Sequence, residues 1–312
     1  MAVRMLRGRC LRGLGRTLAL GLAVCGLSCD SSGPPPAGDR LSVFVSIEPQ
    51  ACFVERVGGR HVAVEVLVAA GQSPATYAPT LQQVVRLGKA RAYFRIGVPF
   101  EGPLLERIGS SAKGLEVVDT RAGIRLRRLD EPHEHEGEEA GHGHEAGIED
   151  PHVWLDPKLV KVQARTICAT LSRLDPDHAA DYQANLAAFE AELDAVDAKI
   201  AKALAPVRGR EILVFHPAYG YFADAYGLKQ VAVESGGKSP TSRQLVALIE
   251  RAKAGGVKVI FVQPQFSRRS AEAVAGAIGG AVVPMDPLAR DYIANLERMA
   301  EAVGQALGKK ST

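Results

Sequence analysis

The sequence predicts an α/β protein of two similar lobes, each with a four-stranded parallel sheet, joined by one long helix. Three observations predict it. Short apolar, β-branched runs alternate with helix-like stretches, the pattern of βαβ units with parallel strands. The alternation occurs twice, once before and once after the middle of the chain. Between the two series lies a helical stretch from Pro176 to Leu204 whose apolar residues Tyr182, Leu186, Phe189, Leu193, Val196, Ile200 and Leu204 recur at a spacing of three to four. At about 1.5 Å per residue that stretch is on the order of 40 Å long, enough to span two lobes.

In the first series, Leu41 to Ile47 (LSVFVSI), Val62 to Val68 (VAVEVLV), Arg91 to Val98 and Leu115 to Asp119 read as strands. Helical segments are expected at Gln50 to Val57, from Thr80 to Leu87 and from Leu104 to Ile108, with Gly58-Gly59 and Gly71-Gln72-Ser73-Pro74 as breaks. Pro157 to Leu174 is a further helix. The second series gives strands at Ile212 to Phe215, Gln230 to Val233, Val257 to Val262 and Ala281 to Met285. Its helices are Tyr219 to Tyr226, Gln244 to Ala254, Ser270 to Ile278 and Asp291 to Leu307. The expected division is residues 41–175 for the first lobe, 176–205 for the linking helix and 206–312 for the second lobe.

The start of the chain has a different character. Arg4, Arg7, Arg9, Arg12 and Arg16 precede an apolar run from Thr17 to Leu27, and no acidic residue occurs before Asp30. This is the pattern of a secretory signal peptide, residues 1–28, with Cys29 placed for lipidation after Ser28; because Gly26 stands where Leu is usual, a simple signal-peptidase site is the alternative. The run is too short for a membrane span. Residues 29–40, with DSSGPPPAGD, read as a polar tether. Loss of residues 1–28 removes five arginines and takes the formal charge from +3 to −2. That withdraws any support for nucleic-acid binding from basicity. Cys52 and Cys168 also remain after cleavage. An exported compartment permits a disulfide, but one pair far apart in sequence does not establish it.

The most informative stretch is DEPHEHEGEEAGHGHEAGIEDPHVWLDP, Asp130 to Pro157. Residues 130–150 are a low-complexity run with His133, His135, His142 and His144, too polar to build a core. A solvated insertion is the plain reading. The alternation of His with Glu and Gly adds a second, since imidazole suits zinc, copper and nickel. The segment Asp150 to Pro157 then holds the only Trp and an isolated His152. A His beside a Trp is more often packed than metal-binding, so His152 needs a partner. His216 directly follows the strand ILVF, and ligands in open α/β sheets bind at the carboxyl ends of strands. One imidazole from each lobe can face a common cleft. Zn²⁺ usually takes four ligands, and Glu234, Glu101, Glu48 and water are the candidates to complete the set. Glu101 is also explained as a residue at a helix N-terminus.

These segments resemble those of the metal-binding proteins of ABC importers for zinc and manganese. The resemblance covers nearly all of residues 41–308 and rests on GQSPATYAPT, GVPFE, EDPHVWLDP, FHPAYGYFADAYGL, FVQPQFS and the His-rich acidic insertion. It implies capture of Zn²⁺ outside the inner membrane and delivery to an ABC transporter permease; together with the N-terminal pattern, the expectation is a periplasmic or otherwise extracytoplasmic lipoprotein, a monomer anchored to the membrane by its lipid. His152 and His216 take the positions of family ligands. His at position 216 is the pattern of the zinc branch, so Zn²⁺ is favoured over Mn²⁺. A third family histidine is replaced by Ala75 in Pro74-Ala75-Thr76-Tyr77-Ala78-Pro79. The loop histidines form a secondary metal-collecting site on this reading. The alternatives are a manganese- or iron-binding relative, an adhesion or metal-buffering protein on the same scaffold, and a zinc hydrolase. Against the hydrolase, the chain has neither HExxH nor a three-ligand catalytic pattern.

Overall fold

Two parallel sheets of identical topology carry the fold. The computed structural model describes residues 40–109, 112–129, 149–234 and 241–308. The expected signal peptide, tether and Cys29, and the loop histidines 133, 135, 142 and 144, lie outside the described residues.

In the first sheet, β1 (Leu41–Val45) pairs with β2 (Val62–Val66) on one side and β3 (Ala92–Arg95) on the other, and β4 (Glu116–Asp119) completes the order β2-β1-β3-β4. The second sheet repeats it with β5 (Glu211–Val214), β6 (Lys229–Ala232), β7 (Val259–Val262) and β8 (Ala281–Pro284) in the order β6-β5-β7-β8. All pairings are parallel. The central strands are apolar without alternation because helices cover both faces. In each sheet the chain order reverses beside the first strand, and a crevice opens at the carboxyl ends there.

Local chemistry sets the helix starts. Helix α1 (Glu48–Gly58) has Pro49 in its first turn. Thr80 and Gln83 form a capping box on α2 (Leu81–Leu87). α3 runs Glu101–Ile108. Asp156 accepts from the backbone N of Lys158 at 2.8 Å and Pro157 opens α4 (Pro157–Leu174). In the second half α6 (Gly220–Tyr226) ends on Gly227, left-handed at φ 70°. α7 (Ser242–Ala254) repeats the capping box with Thr241 and Gln244. α8 (Arg268–Ala277) and α9 (Tyr292–Gly308) follow.

The linking helix is α5 (Ala179–Leu204), with a 3-10 turn at each end, Pro176–His178 and Ala205–Val207. Six of the seven apolar residues of its periodic stripe are buried; Leu186 is half-buried. The stripe packs on α1 and α4 from one half and on α9 from the other. A single apolar core therefore runs from Phe53 and Trp154 through Phe189 and Leu193 to Leu296 and Phe261. A smaller core lies under α7 and α8, with Ile260, Val274 and Ile278.

Polar ties fasten the same joint. The buried indole of Trp154 donates to the carbonyl of Pro287 at 2.7 Å, and the hydroxyl of Tyr292 donates to the carbonyl of Trp154 at 2.7 Å. Tyr221 of α6 donates to the carbonyl of Asp150 at 3.1 Å. Arg290 pairs with Glu48 and Glu55 of α1. Trp154→Phe should therefore cost about 1–3 kcal/mol of unfolding free energy, because it strands a buried carbonyl. Chemical denaturation of the metal-free protein measures this, and a loss below about 0.5 kcal/mol would mean that the Pro287 carbonyl finds another donor.

Candidate metal centre

His152 sits where the chain turns from the base of the insertion into the 3-10 turn Val153–Leu155. Asp150, two residues earlier, organises that turn. Its Oδ1 accepts from the backbone N of His152 at 3.0 Å and lies 2.6 Å from His152 Nδ1. A carboxylate only accepts, so Nδ1 carries the proton and Nε2 presents its lone pair. Asp150 is buried, at 1% exposure.

His216 lies two residues beyond β5, and Glu234 two residues beyond β6. The register Val214↔Ala232, continued two steps, sets these side chains side by side. His216 Nδ1 is 3.1 Å from Glu234 Oε1, which leaves Nε2 of this ring for a metal as well. Gln263, just past β7, fixes the backbone: it accepts from His216 N at 3.4 Å and donates to His216 O at 3.0 Å. Phe266 stacks on the imidazole with ring centres 5.0 Å apart and planes 22° apart. Burial pushes the His216 pKa below its ordinary 6.5, with the neighbouring His152 adding to the effect and the Glu234 hydrogen bond opposing it. The ring is neutral, as a ligand must be, at neutral pH.

The two rings meet from opposite halves. Their centres are 5.4 Å apart and their planes 72° apart. Two imidazoles on one tetrahedral zinc ion, at Zn–N about 2.0 Å, have ring centres about 5 Å apart. The observed 5.4 Å matches that spacing. Each ring has a carboxylate behind it, the arrangement that orients metal-binding histidines and raises their basicity.

Glu101 has other duties. It is buried at the start of α3 and accepts from the backbone N of Ile96 at 2.8 Å and of Gly97 at 2.7 Å, and from Ser46 Oγ at 2.5 Å. Burial raises its pKa in spite of these bonds, which lower it. Its carboxylate anchors the loop after β3. Glu48 is paired with Arg290. Ala75 lies exposed in a turn before α2. Cys52 and Cys168 are free thiols, both raised in pKa by burial. His61 and His178 stack face to face at 3.8 Å, each bonded to an aspartate, so their lone pairs do not converge. Among the described residues no group of three or more His, Cys, Asp or Glu forms a closed metal site.

The structure brings together His152, His216 and Glu234, and places Glu101 in a separate network. Sequence reasoning missed Asp150, Gln263 and Phe266. Asp150 was detectable as an acidic residue two before a histidine, the spacing of a side-chain-to-backbone turn.

Comparison with known proteins agrees with this geometry. The family model for the zinc-uptake complex component A, periplasmic (ZnuA), matches residues 43–306. The high-affinity zinc uptake system protein ZnuA of Brucella abortus is 28% identical over 288 residues, covering 82% of this chain and 86% of the relative. The ZnuA protein of Bacillus subtilis is 28% identical, covering 83% of this chain and 82% of its own length. A crystal structure of ZnuA superposes with a TM-score of 0.78 at 39% identity, covering 86% of this chain and 99% of that one. A ZnuA deletion mutant with zinc bound gives 0.79 at 39% identity, covering 88% and 100%. The chain belongs to the family of periplasmic zinc-uptake components, the ZnuA family.

Proposed function

We propose that this protein captures Zn²⁺ between His152 and His216 and delivers it to the permease of an ABC importer. The observation that carries the reading is the facing pair of imidazoles, each held at Nδ1 by a buried carboxylate with Nε2 free. Two nitrogen donors favour zinc over manganese, which prefers oxygen. Binding and release suffice for this role, and the site needs no chemistry. The name of the relatives as zinc uptake proteins supports the same reading.

Glu234 acts here through His216 rather than on the ion, since its oxygen holds Nδ1. Glu101 serves the loop after β3. With Ala75 in place of a third imidazole, water completes the zinc shell, which favours exchange. Histidines 133, 135, 142 and 144 form a secondary, weaker zinc-collecting site, because ordering a polar segment on metal costs entropy. The working protein is a monomer of lobes 41–175 and 206–312 joined by the helix at 176–205, tethered by residues 29–40 to a lipid on Cys29. The zinc-binding lipoprotein AdcA of Streptococcus pneumoniae, 27% identical over 94% of this chain and 60% of its own length, supports the anchor. Among the described residues no helix is long and apolar enough to cross a membrane.

Mutation tests the centre directly. His152→Ala and His216→Ala should each weaken zinc at least tenfold, about 1.4 kcal/mol, by competition titration. Glu234→Gln keeps an acceptor at Nδ1 but loses the charge, and should cost about tenfold. Glu101→Ala should instead leave zinc affinity within about twofold and lower stability by about 2–4 kcal/mol, since two buried N–H groups lose their acceptor. A large loss of affinity in Glu101→Ala places that carboxylate on the ion after all.

The depressed pKa of His216 sets a pH dependence. Its neutral form is favoured by folding, so the unfolded chain binds the proton first as pH falls. Its contribution is fully present above about pH 6.5 and is lost as pH drops through the depressed folded value. Denaturation of chelator-treated protein at several pH values should show this slope, and His216→Asn should flatten it. Membrane fractionation of cells expressing wild-type and Cys29→Ser protein tests the anchor: the wild type should sediment with membranes and the variant should be soluble.

A further inference from the structure

We propose that Arg127 is a positioning residue for the metal centre, gripping Asp150 behind His152 and Asp224 in the helix that follows His216. The proposal rests on the reading that His152 and His216 bind the metal.

The chain brings Arg127 to this place by its backbone. Arg128 bridges antiparallel to Glu149, and Asp150 N donates to Arg127 O at 2.9 Å. Arg127 and Asp150 therefore face each other at the base of the insertion. Arg127 Nη1 lies 3.5 Å from Asp150 Oδ2, while Oδ1 of the same carboxylate holds His152. A buried carboxylate needs a compensating charge. An imidazole that gives Nε2 to a metal is neutral and cannot supply it. Arg127 can.

The second grip crosses to the other half. Arg127 Nε is 2.9 Å from Asp224 Oδ2 on α6, and the guanidinium carbon lies 5.6 Å from the ring centre of Tyr221. The backbone N of Arg127 also donates to Tyr221 Oη at 2.8 Å. α6 begins at Gly220, four residues after His216. A Cβ on Gly220 would fall on the Arg127 guanidinium and within 3.1 Å of Asp150 Oδ2. The absence of a side chain there is what admits the arginine. Asp150 with His152, and α6 downstream of His216, are thus joined through one cation, which helps hold the two imidazoles in register across the joint.

Two variants test this. Arg127→Ala removes the cation, and Gly220→Ala displaces it without removing it. Each is measured as full mature protein for zinc affinity by competition titration, and for the visible spectrum with Co²⁺ in place of zinc, after circular dichroism has confirmed folding. The expected result is a loss of zinc affinity of about tenfold to a hundredfold and a changed Co²⁺ spectrum in both, with part of the affinity restored by Arg127→Lys. If either folded variant keeps affinity within twofold and an unchanged Co²⁺ spectrum, the proposal is overturned, even where thermal stability falls. His152→Ala, run beside them, separates the failures. If it too leaves affinity unchanged, the metal site itself is misplaced; if it weakens zinc and Arg127→Ala does not, only the role of Arg127 is wrong.

Discussion

The two imidazoles come from opposite halves of the chain, and their separation of 5.4 Å has to be held across the joint between them. A linking helix alone would leave a bending mode, since long helices curve gently under small forces. Here α5 is packed on helices of both halves, and one apolar core continues from the first sheet to the second. Trp154 sits two residues from His152 and donates to Pro287, beyond β8. The displacement of His152 relative to the second half is thereby tied to a buried hydrogen bond and to a close-packed interior, which resists small changes in volume.

The electrostatics of the centre follow from the same geometry. Asp150 and Glu234 are both buried, and each spends an oxygen on an imidazole Nδ1. Negative charge behind the rings orients them and attracts a divalent cation, and the proposed reading keeps both carboxylates off the ion. On the proposed reading, this is how two nitrogen donors and water would hold zinc. It also explains why burial of His216 is tolerable. Desolvation disfavours the protonated ring, and the neutral ring that results is the form that binds metal.

Much of this was legible in the sequence, and the boundary of legibility is physical. The eight strands were readable because parallel strands covered on both faces are continuous apolar runs. The linking helix was readable because its burial is periodic. His216 could be singled out by the rule that ligands sit at carboxyl ends of strands, and His152 by its isolated place in the Asp150 to Pro157 turn. Glu234 was named as a candidate from its place after a strand, but its role depends on the register of β5 with β6, which pairs Val214 with Ala232 and so sets Glu234 against His216. Glu101 was ambiguous between ligand and helix terminus, and only the positions of the Ile96 and Gly97 amides show what its carboxylate holds. Asp150, Gln263 and Phe266 act through side-chain geometry that no periodicity encodes.

A carrier must release what it binds, and the structure constrains how. With the halves fastened by a shared core and by buried hydrogen bonds, opening the whole cleft would expose apolar surface at about 25 cal/mol per Å² and break the Trp154 tie. Movement of one imidazole costs much less. His152 is carried by a short turn whose hydrogen bonds converge on Asp150, whereas His216 is clamped by Gln263, Phe266 and Glu234. The turn itself is fastened through Trp154, but the His152 ring rests on Asp150 and can swing without breaking the Trp154 tie. Release through His152 also needs no third imidazole to be withdrawn, because Ala75 supplies none. On the proposed reading, the open coordination shell is what allows a stiff scaffold to exchange its cargo: a small swing of the His152 ring leaves the ion on His216 and water, which is too few protein ligands to keep it.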